Sequence, residues 1–347
     1  MLVIEVLNQE SERIVKKEID RNRSILVIGR GETDYGLREV KNFTARKIVR
    51  NLYGDCRLSD AYEYAIDQGA TDIFLSNAKD KEDFFMVAKY LSDYDFAYVV
   101  VLDFFLSDSY FVENNNLKYY YSNYVLNQLS QESGTLILFT DKHASLYEDI
   151  DHYLDTMRSY LGRAKSTMAR EVEGHNICFV LNNLEEHDYA NLTLAVALSQ
   201  SDIGKYPRYN FGRAIFDLDE LDIDEEEIIY FKNHNNLNTT VENLISFRKT
   251  KDARKVIAID KVYNYIRNTL NLSMFDGQHA KSYQKTKIEK VTSDFFESLI
   301  GSIIRRYRIV DVKVFETGIF HKSLEVEIEV WPINSIEKFS VILYERS

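Results

Sequence analysis

The chain has 347 residues, 45% hydrophobic and 28% charged, an ordinary globular composition with room for two or three domains. Its net charge of −12 argues against non-specific nucleic-acid binding, which needs a basic surface, and fits solubility or an acidic face that meets a basic partner. No apolar run approaches the roughly 20 residues of a membrane helix, and Glu5 interrupts the first apolar stretch, so neither a membrane span nor a secretory leader is read. The expectation is a protein made and assembled in a cytoplasm, with Cys56 and Cys178 as reduced thiols rather than a disulfide. The 24 tyrosines against two prolines fit either extensive contact surface or an AT-rich genome.

MLVIEVLN at the start reads as a strand, followed by the charged ESERIVKKEIDRNR. SILVIGRG (24–31) reads as a buried strand ending at glycine. TARKIVRNLYG (44–54) and LSDAYEYAIDQGA (58–70) read as helices, closed by Gly54 and Gly69. Strand DIFLS (72–76), helix 81–94 and the nearly continuous apolar run AYVVVLDFF (97–105) follow, the last suiting a strand buried on both faces. Helix 123–133, strand TLILFT (135–140), helix 145–164, strand NICFVL (176–181) and helix 188–200 complete an alternation that predicts a mainly parallel α/β sheet. From about 205 the pattern changes. RAIFDL, EIIYFKN and TVENLISFRKT are short strand candidates, followed by a helix over 254–271 and another over 287–307. Three strands finish the chain: 308–317, 323–330 and 338–345. The second half therefore reads as α+β, with no internal repeat or low-complexity linker.

Several motifs fail on their chemistry. IGRGETDYG (28–36) has a glycine turn after a strand, but Leu37 and Arg38 stand where a phosphate loop needs Lys-Ser/Thr, and the dinucleotide spacing is absent. The acidic run DLDELDIDEEE (217–227) lacks the glycine that a calcium loop needs at its sixth position. The seven histidines include no pair four residues apart, and no G-x-S-x-G elbow occurs. No catalytic, cofactor-binding or metal-ligating residue is assigned. In SLEVEIEV, Leu324, Val326, Ile328 and Val330 fall on one face and Glu325, Glu327 and Glu329 on the other. Three like charges in line repel unless water or a basic neighbour is near. Helix 287–307 carries an apolar stripe at Val291, Phe295, Leu299 and Ile303 and ends in Arg305, Arg306 and Arg308, which suit the helix dipole or an acidic partner.

SFRKTKDARKVIAIDKVYNYI (246–266), the long helix to Arg308 and the closing EVEIEVWPINSIEKFSVILYE together resemble the contractile tail sheath proteins of bacteriophages and related injection machines. SILVIGRGETDYGLREVKNFTARKIVRNLYG and IDQGATDIFLSNA are similar to the family's earlier strand–glycine turn and helix–Gly-Ala–strand steps, so the likeness runs in order along roughly the whole chain. Many sheath proteins open with a Pro-Gly-Val-Tyr type arm, and this chain opens without proline. The resemblance implies an N-terminal arm (1–22), an outer α/β domain with a mainly parallel sheet (23–204), an inner α+β domain (205–335) and a C-terminal arm strand (336–347). It implies arms that complete the sheets of neighbouring copies, through Leu2, Ile4 and Val6 at one end and Phe339, Val341 and Leu343 at the other. It also implies a tube contact through Arg305, Arg306 and Arg308, no enzymatic activity and no cofactor. The implied partners are further copies of the chain, the inner tail tube, and baseplate and tail terminator proteins, with no direct nucleic acid and no membrane insertion. The implied place is a phage tail or injection particle, assembled in the bacterial cytoplasm. Two rivals stand beside this reading. One is a sheath-like cap or baseplate subunit. The other is a nucleotide- or sugar-phosphate-binding α/β enzyme, whose pocket would lie at the carboxyl ends of strands 24–29 and 97–105 with Asp103 as its polar residue.

Overall fold

The computed structural model describes residues 3–7, 14–18, 23–43, 45–90, 96–105, 110–113, 117–120, 135–167, 177–201, 207, 209–216, 228–234, 238–242, 265–266, 282–316, 322–332 and 339–346. Contacts divide the chain into two units, the first spanning 1–201 and 207–256 and the second 202–206 and 257–347. The charge divides unevenly between them. The first unit has 29 Lys/Arg against 42 Asp/Glu, a net −13; the second has 14 against 13, a net +1.

The first unit is built on a ten-stranded sheet. Its strands in chain order are β1 (Val3–Leu7), β2 (Ile14–Glu18), β3 (Ile25–Gly29), β4 (Val40–Phe43), β5 (Ile73–Asn77), β6 (Tyr98–Val101), β9 (Leu136–Phe139), β10 (Ile177–Val180), β11 (Ile228–His234) and β12 (Asn238–Glu242). A separate hairpin pairs β7 (Tyr110–Glu113) with β8 (Leu117–Tyr120). The order across the sheet is β12-β11-β10-β9-β6-β3-β5-β4-β1-β2. The six strands from β11 to β5 are all parallel, and β4 and β12 flank them antiparallel. Every residue of β3, β5, β6, β9 and β10 is buried, as both faces of a parallel sheet require.

Helices cover the sheet. On one face Phe84, Val87 and Ala88 of α3 (Lys81–Tyr90) and Tyr153, Leu154, Met157 and Leu161 of α4 (Ile150–Thr167) pack on Leu26, Phe74, Val99, Ile137 and Phe179. Period-two alternation sends Ile25, Val27, Val100 and Leu138 to the other face, where α2 (Arg57–Asp67) and α5 (Ala190–Gln200) contact the strands. All ten residues from Ala190 to Ser199 of α5 are buried, which explains why its leucines, alanines and valine are not confined to one face; buried Asn191 donates to Val101 O and Leu138 O. A further helix, α1 (Arg46–Tyr53), ends at Gly54, whose φ of +90° only glycine adopts without strain.

The second unit is a three-stranded antiparallel sheet, β13 (Ile304–Glu316), β14 (Lys322–Pro332) and β15 (Phe339–Arg346), covered by α6 (Ser282–Leu299). Ile288, Phe296 and Leu299 of α6 pack on Ile304, Val312, Val326, Ile328 and Val330. The buried line on the helix runs Ile288–Thr292–Phe296–Leu299, while Val291 and Phe295 of the expected stripe flank it half-buried.

Three expectations are corrected. The expected helix 287–307 stops at Leu299. Gly301 turns the chain at φ +83° and Ile304 opens a strand, so Arg305, Arg306 and Arg308 sit on β13 and not at a helix terminus. β-branched Ile303 and Ile304 and the alternation that follows favour the strand. The described part of RAIFDL, residues 213–216, forms no strand; Ala214 makes an isolated bridge to Leu184. The α/β layer does not end at 204: β11 extends the parallel run from β10 and β12 pairs with β11, so residues 207–256 belong to the first unit. The sequence reading missed this because a polar interval that includes the acidic run 217–227 separates α5 from β11. The helix expected over 123–133, the acidic run 217–227, most of 254–271 and Leu2 lie outside the described residues.

Candidate assembly surfaces and the switch-point crevice

On β13, Tyr307 and Ile309 join the face covered by α6. The Tyr307 ring stacks on Phe296 at 5.2 Å, and its hydroxyl donates to Glu297 Oε1 at 3.1 Å; burial, first among the causes, pushes its pKa up. Alternation places Arg306 and Arg308 on the opposite face, and Arg305, Arg306 and Arg308 are all exposed. The Arg306 guanidinium lies 4.1 Å from the Trp331 ring centroid, a cation–π contact that holds it over β14. Register steps between Ile304 and Arg306 and between Ile309 and Asp311 leave Arg305 and Val310 as extra residues on β13.

In the register of β13 and β14, Arg308 is paired with Glu329 and Lys313 with Glu325; Arg308 is exposed and Glu329 half-buried. Glu327 faces Asp311, whose carboxylate has Lys285 Nζ of α6 at 3.7 Å.

Both strands expected as arms are paired inside this chain. Ile4 and Val6 of β1 are partnered by Lys17 and Val15 of β2, and Val6 also by Asn42 of β4. Phe339, Val341 and Leu343 of β15 are the register partners of Val330, Ile328 and Val326, along eight positions with no register step.

The carboxyl ends of β3 and β6, where an enzyme would hold its ligand, are filled by the chain itself. Asp103 Oδ2 accepts the Arg30 backbone N–H at 2.6 Å, and Asp103 Oδ1 lies 3.3 Å from Arg57 Nη1. Arg57 opens α2 and also donates to Leu102 O at 2.9 Å and Asp188 O at 2.7 Å, with Asp188 Oδ2 at 3.1 Å. Its guanidinium lies over the Phe105 and Tyr189 rings. Beside it, Asn77 at the end of β5 ties the glycine turn: its amide donates to Thr33 O and Tyr35 O, and its Oδ1 accepts Gly31 N–H. The sequence offered Asp103 as a candidate; the Arg57 clamp and the Asn77 tie carried no motif.

No protein-family model and no curated protein matches the chain. Solved structures do. The helical sheath of the anti-feeding prophage in its contracted state aligns over 98% of this chain and 100% of its own, with a TM-score of 0.60 at 9% identity. This is the fold of contractile-sheath subunits. The baseplate structure of the same prophage contains a chain that aligns over 95% of this one and 94% of its own, with a TM-score of 0.63 at 10% identity. The contracted sheath complex of an extracellular contractile injection system, PVC, aligns over 94% and 88%, with a TM-score of 0.55 at 12% identity. At these identities the sheath likeness is one of fold, and it spans the chain from end to end.

Proposed function

We propose that this chain is a structural subunit of a contractile sheath, which polymerises helically around an inner tube and contracts to drive that tube through a target envelope. The observation that carries the reading is the two-way, near-complete alignment with a helical sheath subunit. The self-filled crevice at β3 and β6 supports a structural role over an enzymatic one. Copies of the chain assemble in the bacterial cytoplasm into a phage tail or injection particle, with baseplate and terminator proteins at the ends. The uninterrupted register between β14 and β15 supports exchange of β15 between copies, because a neighbour's strand can make the same backbone bonds that the chain makes in cis. β1 serves as the second arm. Arg305, Arg306 and Arg308 present the basic face to an acidic tube surface. Reversing all three to Glu abolishes tube co-assembly; tube binding unchanged in that variant refutes the assignment.

The test of the whole reading is negative-stain microscopy of the purified chain with and without its tube protein, beside a version lacking residues 335–347. Striated hollow tubes from the intact chain, lost on truncation, are the expected result. A compact monomer in every sample overturns it. The baseplate match favours one second reading, a closed-ring baseplate or cap subunit, which yields single rings and never tubes of variable length.

A further inference from the structure

Doubly wound sheets bind ligands outside the carboxyl ends of their strands, at the point where strand order reverses. Here that point lies between β3 and β6: the chain runs from β3 outward to β4 and β5 on one side, then crosses to β6, β9, β10 and β11 on the other. Anion-binding groups converge there. The Gly29-Arg30-Gly31 turn offers the Arg30 N–H, α2 points its N-terminus at the crevice, and Arg57 on its first turn adds a guanidinium that is 21% exposed. What these groups hold is a carboxylate of the chain, Asp103, 13% exposed and bonded on both oxygens. The fit is close: a Cβ built on Gly29 would meet Asp103 Oδ2 at 3.0 Å and Leu102 and Leu58 at 3.3 Å. The Nε of Arg57, also buried in the crevice, has no hydrogen-bond partner.

We infer that the switch-point crevice is an oxyanion site whose anion is supplied in cis by Asp103, and that without this carboxylate it takes a free oxyanion of the phosphate or carboxylate class. This is independent of the sheath reading, since it concerns one chain in solution. Asp103 is thus a positioning residue. It joins the end of β6 to the turn after β3 and, through Arg57, to the segment entering α5, and it occupies the space a ligand would need.

The experiment is thermal unfolding of the full chain in phosphate, and in acetate alongside, against chloride at equal ionic strength. Asp103→Ala lowers the melting temperature in chloride, and phosphate restores half or more of the loss. The wild type gains only the general kosmotropic increment of phosphate over chloride, because its site is full. Arg57→Ala/Asp103→Ala shows no restoration beyond the wild-type increment, which separates the crevice from general salt effects. If Asp103→Ala does not fold in chloride, its refolding in phosphate is the same readout. Asp103→Asn, which keeps the shape without the charge, folds and takes no phosphate. Absence of any phosphate or acetate gain in Asp103→Ala overturns the inference, as does a wild type that responds as strongly as the variant.

Discussion

Phe296→Ala is the sharpest probe of the second unit. The ring is fully buried, stacks on Tyr307 at 5.2 Å, meets Phe295 edge-on at 5.3 Å and packs on the apolar faces of β13 and β14. Truncation removes roughly 120 Å² of apolar side chain from a site of this kind. At 25 cal/mol per Å² that is about 3 kcal/mol. Two lost ring contacts add about 1 kcal/mol, and the total of ~4 kcal/mol sits within the usual range for a buried Phe. Trp331 is the only tryptophan of the chain and lies on β14, so its fluorescence reports this unit alone. Urea titration followed at Trp331 is expected to show the full loss. A loss under ~1.5 kcal/mol refutes the reasoning, because it would mean that the helix contributes little to holding the sheet.

Other outcomes follow from single positions. Burial pushes the pKa of His187 down, against the opposing pull of Glu186 and Asp188. Its Nδ1 accepts the Tyr189 N–H at 3.3 Å and its ring packs against Tyr64 at 4.5 Å. The unfolded chain therefore takes up a proton near the ordinary value of 6.5 while the folded chain resists. Its stabilising contribution is complete above that value and is lost as pH falls towards the lowered pKa; His187→Gln flattens the urea midpoint between pH 7 and 5, by at most about 1.4 kcal/mol per pH unit. An unchanged slope counts against the burial argument. Gly301→Ala meets no atom within 4 Å but must hold φ at +83°, so it costs about 1 kcal/mol at the Trp331 transition without changing its width. Gly54→Ala costs more, since φ is +90° and the new Cβ would lie 2.7 Å from Glu32 Cβ; a loss no larger than that of Gly301→Ala contradicts the contact.

The central strands were legible because each is a short apolar run between helical patterns, and a parallel sheet buries both faces of such runs. One flanking strand was not. β4 (VKNF) is four residues with two half-buried, too short for any period to register. Helix and strand were confused at 300–308 because a spacing of four carried the apolar stripe on through Ile303, while the decisive signal was one glycine at positive φ. The arginine cluster was found as a composition feature, but its setting, a strand face with Arg306 over Trp331, depends on pairing between residues 25 apart in sequence. The Arg57 clamp depends on pairings 45 and 131 residues apart, which a single sequence does not display.

The two extra residues of β13 give the second unit a handed border. A strand laid against β13 would meet donor and acceptor rows thrown out of step at Arg305 and again at Val310. The other border, β15, runs eight positions without a step. The sheet thus has one side suited to growth and one side that resists it. A strand added to this sheet would find its backbone partners in step along β15 and out of step along β13, so edge-to-edge pairing of two such sheets through β13 is disfavoured by the backbone alone.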